Sequence, residues 1–162
     1  MKTVATINGA ISIVNAIATG KGSTLGISLK TEVIVETLNG TGINLETENR
    51  TISSRLINKV IEKVIPKKDL QKNKIRISLK SEIPTGYGLK SSSAISSAVS
   101  MACAKLFRPK WNDFQILLAG IDASIETKVS ITGAYDDACG CYYGGYAVTD
   151  NYKRKIIKSE KG

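Results

Sequence analysis

Histidine is absent from the chain, which excludes the Ser-His and Cys-His pairings that activate a hydroxyl or thiol nucleophile. Carboxylates, lysines and hydroxyls remain as the groups that can do chemistry. Cysteine is scarce: Cys103, Cys139 and Cys141 form no C-x-x-C pair and no metal-ligand spacing, so a reduced, cytoplasmic setting is expected. No apolar run approaches the roughly 20 residues that span a bilayer, and no membrane partner is expected. The N-terminal MKTVATINGAISIV alternates too much, and turns polar too soon, for a secretory signal. Acidic residues are outnumbered, 14 against 23 Lys and Arg, for a formal net charge of +9. That balance suits nucleic acid, or an enzyme whose ligands are a nucleotide and an acidic metabolite. Aromatics are only 6% of the chain and no run interleaves them with arginine, so a stacking surface is missing and nucleic acid is not expected as the main partner.

At 162 residues with 42% hydrophobic and 23% charged residues, the chain has the size and composition of one soluble globular domain. Lys2 to Ile17 reads as a strand region turned by TGKGS at 19–23. Gly20-Lys21-Gly22 is not a Walker A loop, because position 15, where its first glycine belongs, is asparagine. A second strand is expected over about 26–38, and Asn39-Gly40 predicts a hairpin returning through Ile43 and Leu45. Ser53 is expected to cap a helix with Leu56, Ile57, Val60, Ile61, Val64 and Ile65 on one face, stopped by Pro66. A charged connection over 67–73 and an alternating strand through Ile75, Ile77 and Leu79 follow. Asn112 with Gln115 predicts a capping box opening a largely buried helix to about Glu126.

Between these elements lies IPTGYGLKSSSAISSA at 83–98. Pro84 biases Ile83 toward an extended backbone, and Gly86 and Gly88 permit close approach and unusual dihedrals. Ser91, Ser92 and Ser93 are each candidate helix caps, and Ile95, Ala98, Val99, Ala102 and Leu106 carry helical spacing. A glycine loop feeding a helix N-terminus offers free N–H donors and the positive end of a dipole to an anion such as phosphate; a flexible loop before an ordinary capped helix is the other reading.

PTGYGLKSSSA closely resembles the P-x-G-x-G-L-G-S-S-A loop of the galactokinase, homoserine kinase, mevalonate kinase and phosphomevalonate kinase (GHMP) superfamily, with Lys90 for the third glycine and Ser93 for the first alanine. The K-S-S-S variant is similar to archaeal-type shikimate kinases. VNAIATGKGSTLGI and IETKVSITGAYDDA are similar to further segments of that family, from about Thr3 to Asp150 in all. The resemblance implies an α+β fold: a domain like ribosomal protein S5 domain 2, its mixed sheet packed against helices. It implies that Pro84, Thr85, Gly86, Tyr87, Gly88, Leu89, Lys90, Ser91, Ser92 and Ser93 bind ATP, and that Ser92 and Glu126 share Mg²⁺. Asp136 then serves as base toward the substrate hydroxyl, and Lys21 neutralises a carboxylate or positions the phosphoryl group. An exposed turn lysine and a solvated acidic pair are the alternatives that the residues themselves leave open.

The activity so implied is phosphorylation of shikimate by ATP in chorismate and aromatic amino-acid synthesis. Another GHMP small-alcohol kinase, of homoserine or mevalonate type, and a non-catalytic S5-like RNA-binding module are the alternatives. Residues 1–162 are expected to be the N-terminal domain, with the family's C-terminal half absent and an exposed apolar surface where it would pack.

Overall fold

A computed structural model describes residues 1–49, 51–130 and 134–161. Its elements are β1 (Lys2–Val14), β2 (Lys21–Leu38), β3 (Gly42–Thr47), α1 (Ser54–Val64), α2 (Lys67–Lys72) and β4 (Lys74–Ser81). They continue with α3 (Ser91–Phe107), α4 (Asp113–Glu126), α5 (Tyr135–Tyr143), β5 (Tyr146–Asp150) and β6 (Lys155–Glu160). The class is the expected α+β, a mixed sheet with helices packed on it. None of the described helices is long and apolar enough to cross a membrane.

The sheet is organised by β2. β1 pairs antiparallel along most of one of its edges, from Lys2↔Glu36 to Val14↔Ser23. The other edge is divided: β4 takes residues 31–38 and β5 takes residues 21–25, both antiparallel. Because both edges are filled, β3 has no place beside β2. The hairpin expected at Asn39-Gly40 is therefore corrected: β3 crosses to the far side of β4 and pairs with it in parallel, Gly42↔Lys74 to Thr47↔Leu79. Asn39-Gly40 was read for its local turn chemistry, and the non-local pairing of β4 overrides it. The stretch 67–73 is likewise a short helix, α2, rather than an irregular connection.

Alternation sets the buried face of the sheet. Ile75, Ile77 and Leu79 of β4 join Val33 and Val35 of β2 and Ala5 and Ile7 of β1 in the core. α1 meets them with Leu56, Ile57, Val60, Ile61 and Val64, and its start is fixed by Ser53 Oγ accepting from Leu56 N at 3.2 Å. Each such side chain, fully buried, contributes about 1.5–3 kcal/mol. α4 opens with the expected capping box between Asn112 and Gln115, although Phe114 remains 42% exposed. α3 lies between them, tied to α4 by Ser100 Oγ donating to the Ile116 carbonyl at 2.6 Å and to β1 by Thr3 Oγ1 donating to the Ala102 carbonyl at 2.8 Å. Ile13, Val14, Ile17, Tyr152 and Ile157 are among the exposed apolar residues.

α5 lies so close to β2 that glycine is required on both sides. A Cβ on Gly26 would stand 2.9 Å from Gly144 Cα and 3.0 Å from the Gly140 carbonyl oxygen, and one on Gly140 would stand 2.6 Å from Thr24 Cγ2. Gly26→Ala meets backbone that cannot yield, so a loss of about 1–3 kcal/mol is expected in denaturant unfolding. Gly140→Ala meets a methyl group instead. Its loss should be partly recovered in the Gly140→Ala/Thr24→Ser double variant, and full additivity of the two losses would show that this contact does not set the spacing.

Candidate active site

The glycine loop is held at its far end by a β-bulge. β1 shifts register between Asn8 and Ala10, and at the shift Ala10 N donates to the Leu89 carbonyl at 3.1 Å. Beyond it the backbone turns through left-handed dihedrals at Gly86 (φ 86°), Gly88 (φ 73°) and Lys90 (φ 62°). α3 then begins without any side-chain cap. Ser91, Ser92 and Ser93, expected as caps, lie inside its first turn, and Lys90 is the N-cap residue. The first hydrogen bond of the helix runs from Ala94 N to the Lys90 carbonyl at 3.0 Å, so the N–H groups of Ser91, Ser92 and Ser93 lie beyond the ladder at the positive end of the dipole.

These groups border a cavity of about 260 Å³ lined by Pro84, Thr85, Gly86, Gly88, Leu89 and residues 90–93. A Cβ on Gly86 or Gly88 would meet no atom within 4 Å, so side chains at either position would occupy open space rather than collide with the fold. Of the predicted loop residues only Tyr87 is turned away, 78% exposed and outside the cavity wall.

A second cavity, about 290 Å³, shares Lys90 and Asp137 with the first and adds Ser12, Asn15, Asp136 and Asn151. The sequence places Asp136 and Asp137 in an extended loop where only one can face the site. Instead they occupy the first turn of α5, about 100° apart around the helix, and both line this cavity. Ile131 to Gly133, the preceding part of the same sequence element, lie outside the described residues.

Asp136 is 4% exposed and is gripped by Asn151 at two points. Asn151 Nδ2 donates to Asp136 Oδ1 at 2.9 Å, and Asp136 N donates to Asn151 Oδ1 at 3.1 Å. Asn151 is fixed in turn by Thr149 Oγ1, which donates to its Oδ1 at 2.7 Å, and by its own N–H donating to the Gly20 carbonyl at 2.6 Å. The other carboxylate oxygen lies against Gly22, where a Cβ would stand 2.3 Å from it. Sequence reading missed Asn151 and Gly22 because their roles depend on β5 pairing with the start of β2.

Asp137 differs from its neighbour. Its Oδ2 lies 3.4 Å from Lys90 Nζ, yet burial, reinforced by the charge of Asp136, pushes its pKa up to about 6 against the pull of Lys90 and Ser12. The three cysteines are buried and free, and burial pushes Cys103 and Cys139 up to about 12, so both stay thiols at neutral pH and offer no thiolate nucleophile.

Two expected residues stand elsewhere. Gly22 faces Asp136, so by strand alternation Lys21 projects from the opposite face of β2, and it lines neither cavity. Glu126 is paired with Lys63, and with Lys59 at 3.8 Å, in a separate surface depression beside α1. Ser124 lines the glycine-loop cavity, and a helix carries residue 126 about 200° away from residue 124. Ser92 and Glu126 are therefore not brought together, and the pair does not fit a shared magnesium ion. The described residues contain no cluster of three His, Cys, Asp or Glu side chains able to hold a metal.

Comparison with known proteins follows the same lines. The family model described as GHMP kinases N terminal domain matches residues 55–145. The chain is 39% identical over 157 residues to a shikimate kinase of Pyrococcus abyssi, covering 93% of this chain and 56% of that protein. It is 38% identical over 160 residues to a shikimate kinase of Thermococcus kodakarensis, covering 97% and 58%. The chain thus spans little more than half the length of these curated relatives. Among solved structures, the fold matches Methanococcus jannaschii mevalonate kinase with TM-score 0.76 at 18% identity, over 100% of this chain and 56% of that one. It matches homoserine kinase from Cytophaga hutchinsonii with TM-score 0.74 at 18% identity, over 98% and 52%. With the family model covering more than half of its residues, and the uncapped serine helix and glycine loop lying within the match, this chain belongs to the GHMP kinases.

Proposed function

We propose that this protein is an ATP-dependent shikimate kinase, transferring the γ-phosphoryl group to the 3-hydroxyl of shikimate in the cytoplasm and so supplying chorismate and aromatic amino-acid synthesis. One observation carries the phosphotransfer reading. A cradle of unpaired amides and a cavity holding a buried, oriented carboxylate share a wall. The choice of shikimate rests on the likeness to curated shikimate kinases and on the polar lining of the second cavity, where Ser12, Asn15 and Asn151 suit a small hydroxylated acid.

The chemistry then divides between the two sides. Amides at the start of α3 and in the glycine loop bind the phosphates of ATP. Asp136 receives the proton of the attacking hydroxyl as the new oxygen–phosphorus bond forms and the bond to the bridging β–γ oxygen breaks, releasing ADP. Such transfer passes through a loose transition state, so positioning and charge placement supply most of the acceleration. Asn151 keeps the Asp136 carboxylate aimed, and Gly22 leaves it room. Metal ions ordinarily accompany these phosphates and neutralise charge, but no step here is routed through one, because Glu126 is engaged elsewhere.

Gly88→Val places a branched side chain in the cradle and imposes a left-handed backbone on it, at about 1–2 kcal/mol of stability. The full-length variant should stay folded and lose about tenfold or more in affinity for a non-hydrolysable ATP analogue by calorimetry; undiminished affinity removes the loop from the phosphate site.

Asp136→Asn keeps the shape and removes the base, so turnover in an ADP-release assay should fall about 10²-fold or more with ATP affinity nearly intact. Asn151→Ala should show a smaller loss in the same assay. Wild-type turnover by Asp136→Asn would sink the assignment, and failure of the wild-type enzyme to phosphorylate shikimate, homoserine or mevalonate would sink the kinase reading.

A further inference from the structure

Lys90 is an unusual residue for its place. It is the N-cap of a 17-residue helix, where Ser, Thr, Asp, Asn or Gly is ordinarily found, and its backbone is left-handed at φ 62°, a conformation that disfavours any residue with a Cβ. Strain of this kind persists where the surroundings impose it, and it concentrates at functional sites. The side chain is 22% exposed and its ammonium lies 3.4 Å from the 14% exposed carboxylate of Asp137. Both residues line both cavities, and Lys90 is the only cation among the described residues that line either one. Lys21, on the opposite face of β2, does not compete for this role.

We propose that Lys90 is the cation that stabilises the phosphoryl group in transit between the cavities, and that Asp137 is its positioning residue, a tether that keeps the ammonium at the shared wall. This rests on the phosphotransfer reading above. A charge at the wall interacts more strongly with the migrating group than with ATP at rest, and only such differential binding raises kcat. Lysine suits the task because its charge is compact but its four-carbon stem is mobile, and the ion pair with Asp137 restricts that mobility.

A purely structural ion pair is the competing account, and the kcat of the variants separates the two. Asp137 is faced by Asp136 on its own helix, by Lys90, by Ser12 of β1 and by Cys141. Its folded pKa is raised from 3.8 to about 6, so the fold favours the protonated acid. Stability linked to this group is fully present below pH 3.8 and is lost as pH rises through about 6. Asp137→Asn should therefore raise Tm at neutral pH and lose that gain near the unfolded pKa.

The experiment compares full-length wild type with Lys90→Ala, Lys90→Arg, Asp137→Asn, Asp137→Glu and the Lys90→Ala/Asp137→Asn double variant. Lys90→Ala should lower kcat about 10²-fold while ADP affinity, read by calorimetry, is unchanged, and Lys90→Arg should recover part of the loss. Asp137→Asn should lower kcat about tenfold with wild-type KM for ATP, add nothing once Lys90 is Ala, and be partly rescued by Asp137→Glu. Wild-type kcat in Lys90→Ala or full additivity in the double variant overturns the proposal. Those outcomes leave an active wild-type enzyme, whereas an enzyme inactive on every acceptor removes the phosphotransfer reading and this proposal together.

Discussion

The close contact of α5 with β2 is the constraint on which the rest of the site depends. Gly26, Gly140 and Gly22 let the helix lie flush on the strand, and the first turn of that helix carries Asp136 and Asp137. Moved outward by one methyl group, α5 would lift both carboxylates away from the glycine loop, which is fixed independently through the β1 bulge and Leu89. The separation of the glycine-loop cavity from the Asp136 carboxylate is thus set by two backbone contacts on different strands.

Cost is concentrated at the same place. α1 and α4, which begin away from the cavities, are capped by Ser53 and Asn112. α3 and α5, which begin at them, have left-handed N-cap residues, Lys90 and Ala134, and no side-chain cap. A cap contributes about 1 kcal/mol; at α3 a capping side chain would fill the space where the N–H groups of Ser91 to Ser93 border the glycine-loop cavity, whereas at α5 Asn151 Oδ1, from a distant segment, accepts from Asp136 N. The raised pKa of Asp137 points the same way, since the fold holds a carboxylate in surroundings that favour its neutral form. Stability has been given up where two helices meet the ligand space.

Local signals in the sequence were read well. The Ser53 cap, the Asn112–Gln115 box, the alternation of β4 and the glycine loop all depend on neighbours within four residues or on simple periodicity, and the structure has each of them. Errors arose where distant segments decide. Asn39-Gly40 has hairpin chemistry, but β4 arrives later in the chain to fill the edge of β2. Glu126 ends α4 as expected, but its carboxylate pairs with Lys63 and Lys59, away from the cavity that Ser124 lines. Lys21 follows the same logic on a strand, its neighbour Gly22 facing Asp136. Asn151 gave no signal at all: its importance comes from β5 lying beside residues 21–25, a pairing that no local pattern encodes.

That last pairing has a consequence for how the chain folds. β1 and β2 are adjacent in sequence and can zip together as soon as both exist, but residues 21–25 must wait for residues 146–150 to complete their second edge. Contacts of such long sequence separation slow folding, because the loop-closure entropy is lost before the pairing compensates it. In the interval the start of β2 presents an open ladder edge, the kind of surface through which partly folded chains join one another. The same strand end that finally fixes Asn151 beside Asp136 is therefore among the last parts of the domain to become protected, and the Asp136 carboxylate is oriented only when folding is nearly complete.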